Sequence, residues 1–393
     1  LRIDILDLGW ALTGVLDNTG VGVIDGFSPG HGRRVAYMTA RMGVELGLKV
    51  TDRIWLCYLS LLHDLGIPEG TRDFHTDGGL MRAHSEFGEE NIRPILFAAR
   101  EEMTDVVRYH HERWDGTGPF GKKSREVPGL AWIISAADHL DLVYDHSKAY
   151  YLQKDAVSRF LLSASGTVMD PRSAAVLSRL AEKEQFWLDL SHVGEDRVRK
   201  YLMFDISVEA GLVELSGFAR IVSRIIDSRS EFTARHSSGL VEKLAELTSH
   251  YGFDEERSVR LGVAGHFHDI GKLVIPKSIL EKPGPLDREE FEEMKSHVYH
   301  TRVCLEKIRG LGEIVGWASN HHEKLDGKGY PEKIVPASRE ERMIACLDIF
   351  QALSEDRPYR KAMSREEMRT VMDGMVARGE IDEGITADCF RML

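Results

Sequence analysis

Residues 321–329 read H-H-E-K-L-D-G-K-G, and residues 110–118 read H-H-E-R-W-D-G-T-G. A nine-residue frame that returns once in the same chain is the mark of a duplicated unit. Working outward, the two frames carry matching neighbours. His31 precedes His63-Asp64 by 32 residues, and His236 precedes His268-Asp269 by 32 residues. His84 and His297 follow, then the doublets, then Asp138 in A-A-D-H-L-D and Asp348 in C-L-D-I-F-Q. Seven positions in one order are a tandem repeat, with a first unit over 1–205 and a second over 206–393.

Between these positions the chain reads as helix. Val35, Met38, Met42 and Leu46 form one apolar stripe after His31, and Leu240, Leu244 and Leu247 do the same after His236. Residues 54–62 are apolar on nearly every side, which predicts a buried central helix ending at His63-Asp64. Residues 151–205 show a helical pattern without chemistry and are expected to close the first unit. Strand alternation is sparse and the Gly-rich stretches read as loops. The expected fold is all-α, two tandem helical domains.

Composition narrows the function. A net charge of −12 argues against a nucleic-acid polymer as ligand. No run of 18 apolar residues exists to cross a bilayer, and no basic start with an apolar core marks a signal peptide. The four cysteines (Cys57, Cys304, Cys346, Cys389) are scattered, as reduced thiols of a cytoplasmic protein are. The chain opens at Leu1 rather than Met, as expected of a trimmed sequence. A homodimer is compatible with all of this.

A lone His on an apolar helix is usually a hydrogen-bonded core residue, the expectation for His146, His192 and His250. A His-Asp pair ending a buried helix differs, because an unpaired carboxylate there is costly to desolvate and a cation is the usual remedy. Neighbours on a helix point about 100° apart, which suits two ions better than one. Imidazole and carboxylate without thiolate suit Fe or Mn first, with Ni, Co or Zn open. Two ions about 3.5–4 Å apart can hold a bridging hydroxide for in-line attack on phosphorus.

The second unit resembles the HD-GYP family of the HD phosphohydrolase superfamily, through H-D-I-G-K at 268–272, K-P-G at 282–284, H-H-E-K-L-D-G-K-G-Y-P at 321–331 and D-R-P-Y-R at 356–360. The resemblance implies an HD-type helical fold and hydrolysis of a cyclic dinucleotide, cyclic di-GMP or 3',3'-cyclic GMP-AMP, to linear dinucleotide or mononucleotide. It implies metal ligands at His236, His268, Asp269, His297, His321, His322 and Asp348, with Asp269 bridging. Lys272 would stabilise transition-state charge, making Asp269 and Lys272 the catalytic pair. Tyr330, Arg357 and Arg360 would join Lys272 in holding substrate. Gly327 and Gly329 read equally well as turn-permitting or as plain loop glycines. Members with a third metal carry Glu four residues before the first ligand; Phe232 stands there and Glu231 is one residue off, so two ions are expected. His300 and His266 are not expected to be ligands.

The first unit reads as a degenerate HD-type copy. It keeps His31, His63, Asp64, His84, His110, His111 and Asp138, a candidate second metal site. Ile67 replaces the lysine, G-P-F at 118–120 replaces G-Y-P, and D-R-P-Y-R has no counterpart. Whether that site holds metal stays open at this level. Two other functions also stay open: an HD phosphohydrolase acting on mononucleotides, and a module that binds a cyclic dinucleotide without turnover.

Overall fold

The computed structural model describes all residues except 17–28, 66–77, 94–102, 204–206, 229–235 and 357–359. It is helical throughout; among the described residues the named strands are the two-residue segments Ile3–Asp4 and Glu209–Ala210. The chain divides into two compact units, one of Asp4–Glu209 and one of Ala210–Leu393 with Leu1–Ile3.

In the Asp4–Glu209 unit, helices His31–Glu45 and Val50–Leu62 pack on one another and on Gly129–Val143. The run 54–62 is buried along its whole length, and Tyr37, Tyr58, Phe186 and Trp187 fill the interior around it. His63 follows as the C-cap, so the buried helix delivers His63-Asp64 to its own end. Helices Lys154–Ala164, Pro171–Ala181, Glu184–Leu190 and Glu195–Arg199 close the unit.

The other unit repeats the plan with His236–His250, Glu255–Phe267 and Arg339–Ser354. Their starts are set by side chains that satisfy N–H groups the helix itself leaves over. The Asp254 carboxylate accepts from the Arg257 N–H, and Ser338 with Glu341 forms a reciprocal capping box. Asp287 with Glu290 does the same for Arg288–Leu305, the helix that carries His297.

That helix comes close to the H-D-I-G-K turn because residue 271 is glycine. A Cβ there would lie 1.9 Å from the His297 carbonyl oxygen and 2.7 Å from the Thr301 nitrogen. In the space so opened, Thr301 Oγ1 accepts from the Gly271 N–H at 3.0 Å and donates to the His268 carbonyl at 3.0 Å. Gly271 and Thr301 thus fix His297 against His268-Asp269.

Candidate metal centres

The chain brings each set of seven residues together. In the second unit, side-chain donors cluster as His236, His268 and Asp348, as His268, Asp269 and His321, and as His297, His321 and His322. Asp269 joins the groups, with Oδ2 3.1 Å from His268 Nε2 and Oδ1 3.4 Å from His297 Nε2. His236 Nε2 lies 3.0 Å from Asp348 Oδ1.

The imidazoles are pre-set for lone-pair donation. His268, His297 and His321 each donate Nδ1–H to a carbonyl three residues back, at Gly265, Met294 and Ala318, over 2.7, 2.7 and 2.8 Å. In the neutral ring each Nε2 then carries the lone pair, turned inward. His236 uses a carboxylate for the same purpose: its Nδ1 lies 3.0 Å from Glu355 Oε2.

Electrostatics divide the donors: His236, held between Asp348 and Glu355, is raised to about 9 despite its burial and must give up a proton to bind an ion, whereas others are already poised for one. Burial pushes His297 down to about 3, and likewise holds His321 well below the usual imidazole range. Burial alone would raise the Asp269 carboxyl, but its neighbours His268 and Lys272 reverse it and leave Asp269 well below the carboxylate range. Asp269 Oδ1 and His268 Nε2 are buried without a hydrogen bond. Buried polar atoms left so are costly unless something binds them, and a neutral imidazole beside a carboxylate is the donor set of a divalent ion.

The first unit has the same arrangement. His31, His63 and Asp64 form one donor group and Asp64, His84, His110 and His111 another. Asp64 again divides its oxygens, Oδ2 3.2 Å from His63 Nε2 and Oδ1 3.5 Å from His84 Nε2. His31 Nε2 lies 3.2 Å from Asp138 Oδ1. His63 and His110 donate Nδ1–H to the carbonyls of Ser60 and Val107. Burial pushes His110 down to about 3, and Asp64 Oδ1 and His110 Nε2 are buried without hydrogen bonds. Both units therefore contain His/Asp clusters able to bind divalent metal.

Several side chains act in ways the sequence did not disclose. Glu323, third in the H-H-E frame, is buried and accepts the N–H groups of Glu332, Lys333 and Ile334 at 2.7, 3.1 and 3.1 Å. Its counterpart Glu112 accepts from Phe120 and Lys122. The carboxylate closes the loop that follows the histidine doublet. Its repetition in both frames was the available signal. Gly329 is required there, since a Cβ would lie 2.4 Å from Glu323 Cα; its reading as a plain loop glycine is set aside. Gly327 sits at φ +69°.

Lys272 Nζ lies 2.6 Å from Asp269 Oδ2, so the lysine holds the carboxylate itself. The Tyr330 ring lies 4.9 Å from His322 at 30°. Arg360 differs from the expected open guanidinium: it donates to the carbonyls of Ala352, Leu353 and Lys361 at 2.7, 3.2 and 2.8 Å, tying down the end of the Asp348 helix. Arg357, Phe232, Glu231 and Ile67 lie outside the described residues.

The expectation of core positions for His146, His192 and His250 fails. His192 and His250 are exposed. Half-buried His146 has Nε2 3.1 Å from Asp141 Oδ1, and Asp141 Oδ2 lies 2.8 Å from His31 Nδ1. Asp141 is thus the first unit's equivalent of Glu355, and Arg34 grips it through two hydrogen bonds of 2.8 Å. His266 lies 2.9 Å from Ser223 Oγ, and half-buried His300 is absent from the donor groups.

An all-α chain with a His/Asp cluster in each half defines a class: a metal-dependent hydrolase built from tandem HD-type domains. An HD-domain profile matches residues 220–385 and a second HD-domain profile matches 30–142. The chain belongs to the HD superfamily, with one HD domain in each unit. It is 28% identical over 401 residues to the 3'3'-cGAMP-specific phosphodiesterase 1 of Vibrio cholerae, across 98% of this chain and 90% of that protein. With the cyclic di-GMP phosphodiesterase response regulator RpfG of Xanthomonas campestris it shares 34% over 163 residues, 39% of this chain and 40% of that one. A crystal structure of the V. cholerae cyclic GMP-AMP-specific phosphodiesterase V-cGAP3 superposes with a TM-score of 0.68 at 21% identity, covering 100% of this chain and 99% of that chain. No helix among the described residues is long and apolar enough to cross a membrane.

Proposed function

We propose that this chain is a metal-dependent phosphodiesterase that hydrolyses a cyclic dinucleotide in its second unit. The observation that carries the reading is the split of Asp269, whose two oxygens face different histidine groups, in a chain that matches a cyclic dinucleotide phosphodiesterase from end to end. Of the two candidate substrates we favour 3',3'-cyclic GMP-AMP. The relative that spans both units bears that specificity in its name, whereas the cyclic di-GMP relative RpfG aligns over 39% of the chain.

His236, His268, Asp269, His297, His321, His322 and Asp348 would hold two divalent ions, iron or manganese by the chemistry of the donors. Such ions would supply Lewis acidity to the attacking water and to a phosphoryl oxygen. The chain does the rest. Asp269 anchors both donor groups through separate oxygens. Glu355 and the carbonyls behind His268, His297 and His321 hold the imidazoles in one tautomer. Lys272, 19% exposed, offers its ammonium to a non-bridging phosphoryl oxygen, where negative charge grows in the transition state. Tyr330, tilted against His322, would give a base or ribose a flat face; Arg357, and Arg360 once it leaves its helix carbonyls, would meet phosphate or guanine. Buried thiols fit a reducing, cytoplasmic setting.

The deciding experiment is product chromatography after anaerobic incubation of iron- or manganese-loaded protein with each cyclic dinucleotide, beside Asp269→Ala. Linear or mononucleotide product that vanishes in the variant is expected, with cyclic GMP-AMP the faster substrate. No product from either, with metal shown to be bound, would overturn the catalytic reading.

A further inference from the structure

The first unit contains a cavity of about 580 Å³ that none of its seven donor residues lines. Its size falls within the roughly 300–1,000 Å³ of small-molecule sites. Two indoles, Trp114 and Trp132, form part of the wall, edge to face with centroids 5.2 Å apart. Both are held without help from any ligand. The Trp132 indole N–H donates to the Ser124 carbonyl at 3.0 Å, and the backbone N–H of Trp114 donates to Val168 at 3.2 Å. Leu46, Met103, Leu130 and Ile133 supply the apolar remainder.

The lining is also charged, in a chain that is strongly acidic overall. Arg125 and Arg172 are exposed there, and neither guanidinium has an acceptor or an ion-pair partner among the described residues. Two aspartates share the lining, and neither forms an ion pair with these guanidiniums. Asp170 is committed to capping its helix, accepting the N–H and hydroxyl of Ser173 at 3.0 and 2.9 Å. Asp52 accepts from the Thr51 hydroxyl at 3.4 Å.

Flat indole surface takes the face of a nucleobase. Guanidinium forks take phosphate, with paired, charge-assisted hydrogen bonds. We propose that this cavity binds a purine nucleoside monophosphate, its base against Trp114, which the buried Trp132 backs edge to face, and its phosphate on Arg125 and Arg172. The site is separate from both metal centres and does not depend on the catalytic reading.

Calorimetric titration of the full chain with GMP and with AMP, in EDTA so that no metal recruits phosphate, tests this. One site per chain is expected for at least one of the two. Arg125→Ala with Arg172→Ala should weaken it about tenfold or more, as loss of two charge-assisted contacts does. Guanosine and inorganic phosphate alone should each bind at least about tenfold more weakly than GMP, because each offers half of the recognition. Leu130→Trp, which fills the cavity, should abolish binding. The two exposed arginines should leave the melting temperature unchanged, so lost binding would not reflect lost fold. The Asp269→Ala chain should bind as the parent does, which separates this claim from the phosphodiesterase reading. No heat from either nucleotide, binding within about twofold of the parent in the double arginine variant, or guanosine binding as tightly as GMP would each overturn it.

Discussion

Lys272 and Asp269 lie 2.6 Å apart, and Asp269 Oδ2 is an oxygen that a bound ion would also seek. Replacing Lys272 with Met should therefore leave metal binding intact or tighter while lowering kcat by about a hundredfold, the usual effect of deleting one transition-state charge. Metal analysis beside kinetics checks it; equal loss of metal and activity would make the lysine structural. His266 offers a test in acid. Burial pushes it down to about 4 from 6.5. The folded chain then binds fewer protons than the unfolded chain between those values, so this contribution to stability is intact above pH 6.5 and is lost progressively as pH falls from 6.5 to 4. His266→Gln should remove up to about 3 kcal/mol of that acid sensitivity, read from urea midpoints of metal-free protein at pH 7 and 4.5. At this scale the donor residues were legible, because the repeat displays His and Asp in order. Glu355 and Asp141 were not: each faces its histidine from the Asp348 or Asp138 helix, but seven residues after the aspartate in one copy and three in the other, so the alignment does not pair them.

Elements place these residues, and glycine sets how closely they approach. Gly271→Ala would drive a methyl into the main chain of the Arg288–Leu305 helix. It should cost about 3 kcal/mol or more, with loss of activity. Gly284→Ala, which meets nothing within 4 Å, should be near neutral. Thermal melts of the pair make the comparison, and equal melting points would discount the contact. Arg360→Met should lower stability by about 1–2 kcal/mol, because carbonyls at the end of the Asp348 helix lose their donor. Unchanged stability with a raised KM would return Arg360 to substrate binding. Helices were readable from apolar spacing, as residues 54–62 show. The close packing at Gly271 was not, since a glycine in a motif looks the same whether it makes a turn or admits a neighbouring backbone.

At the scale of the whole molecule, each unit holds His/Asp groups able to take a divalent ion. Iron or manganese should therefore load both, and either ion in excess should raise stability by about 2–3 kcal/mol at a hundred times its dissociation constant. Asp64→Ala should lower metal content while sparing activity, whereas Asp269→Ala should abolish activity and leave the first unit's metal in place. Undiminished metal content in Asp64→Ala would show that the first cluster stays empty. The duplication itself was plain in the sequence, through the two H-H-E frames. The glutamate in that frame has a further consequence. Glu323 and Glu112 grasp main-chain N–H groups, and main chain is common to every amino acid. Such a clasp does not inspect the letters of the loop it closes. After a gene doubles, one copy can rewrite its G-Y-P into G-P-F while the histidines before it stay where they were, so the ancestral scaffold outlives the ancestral selectivity.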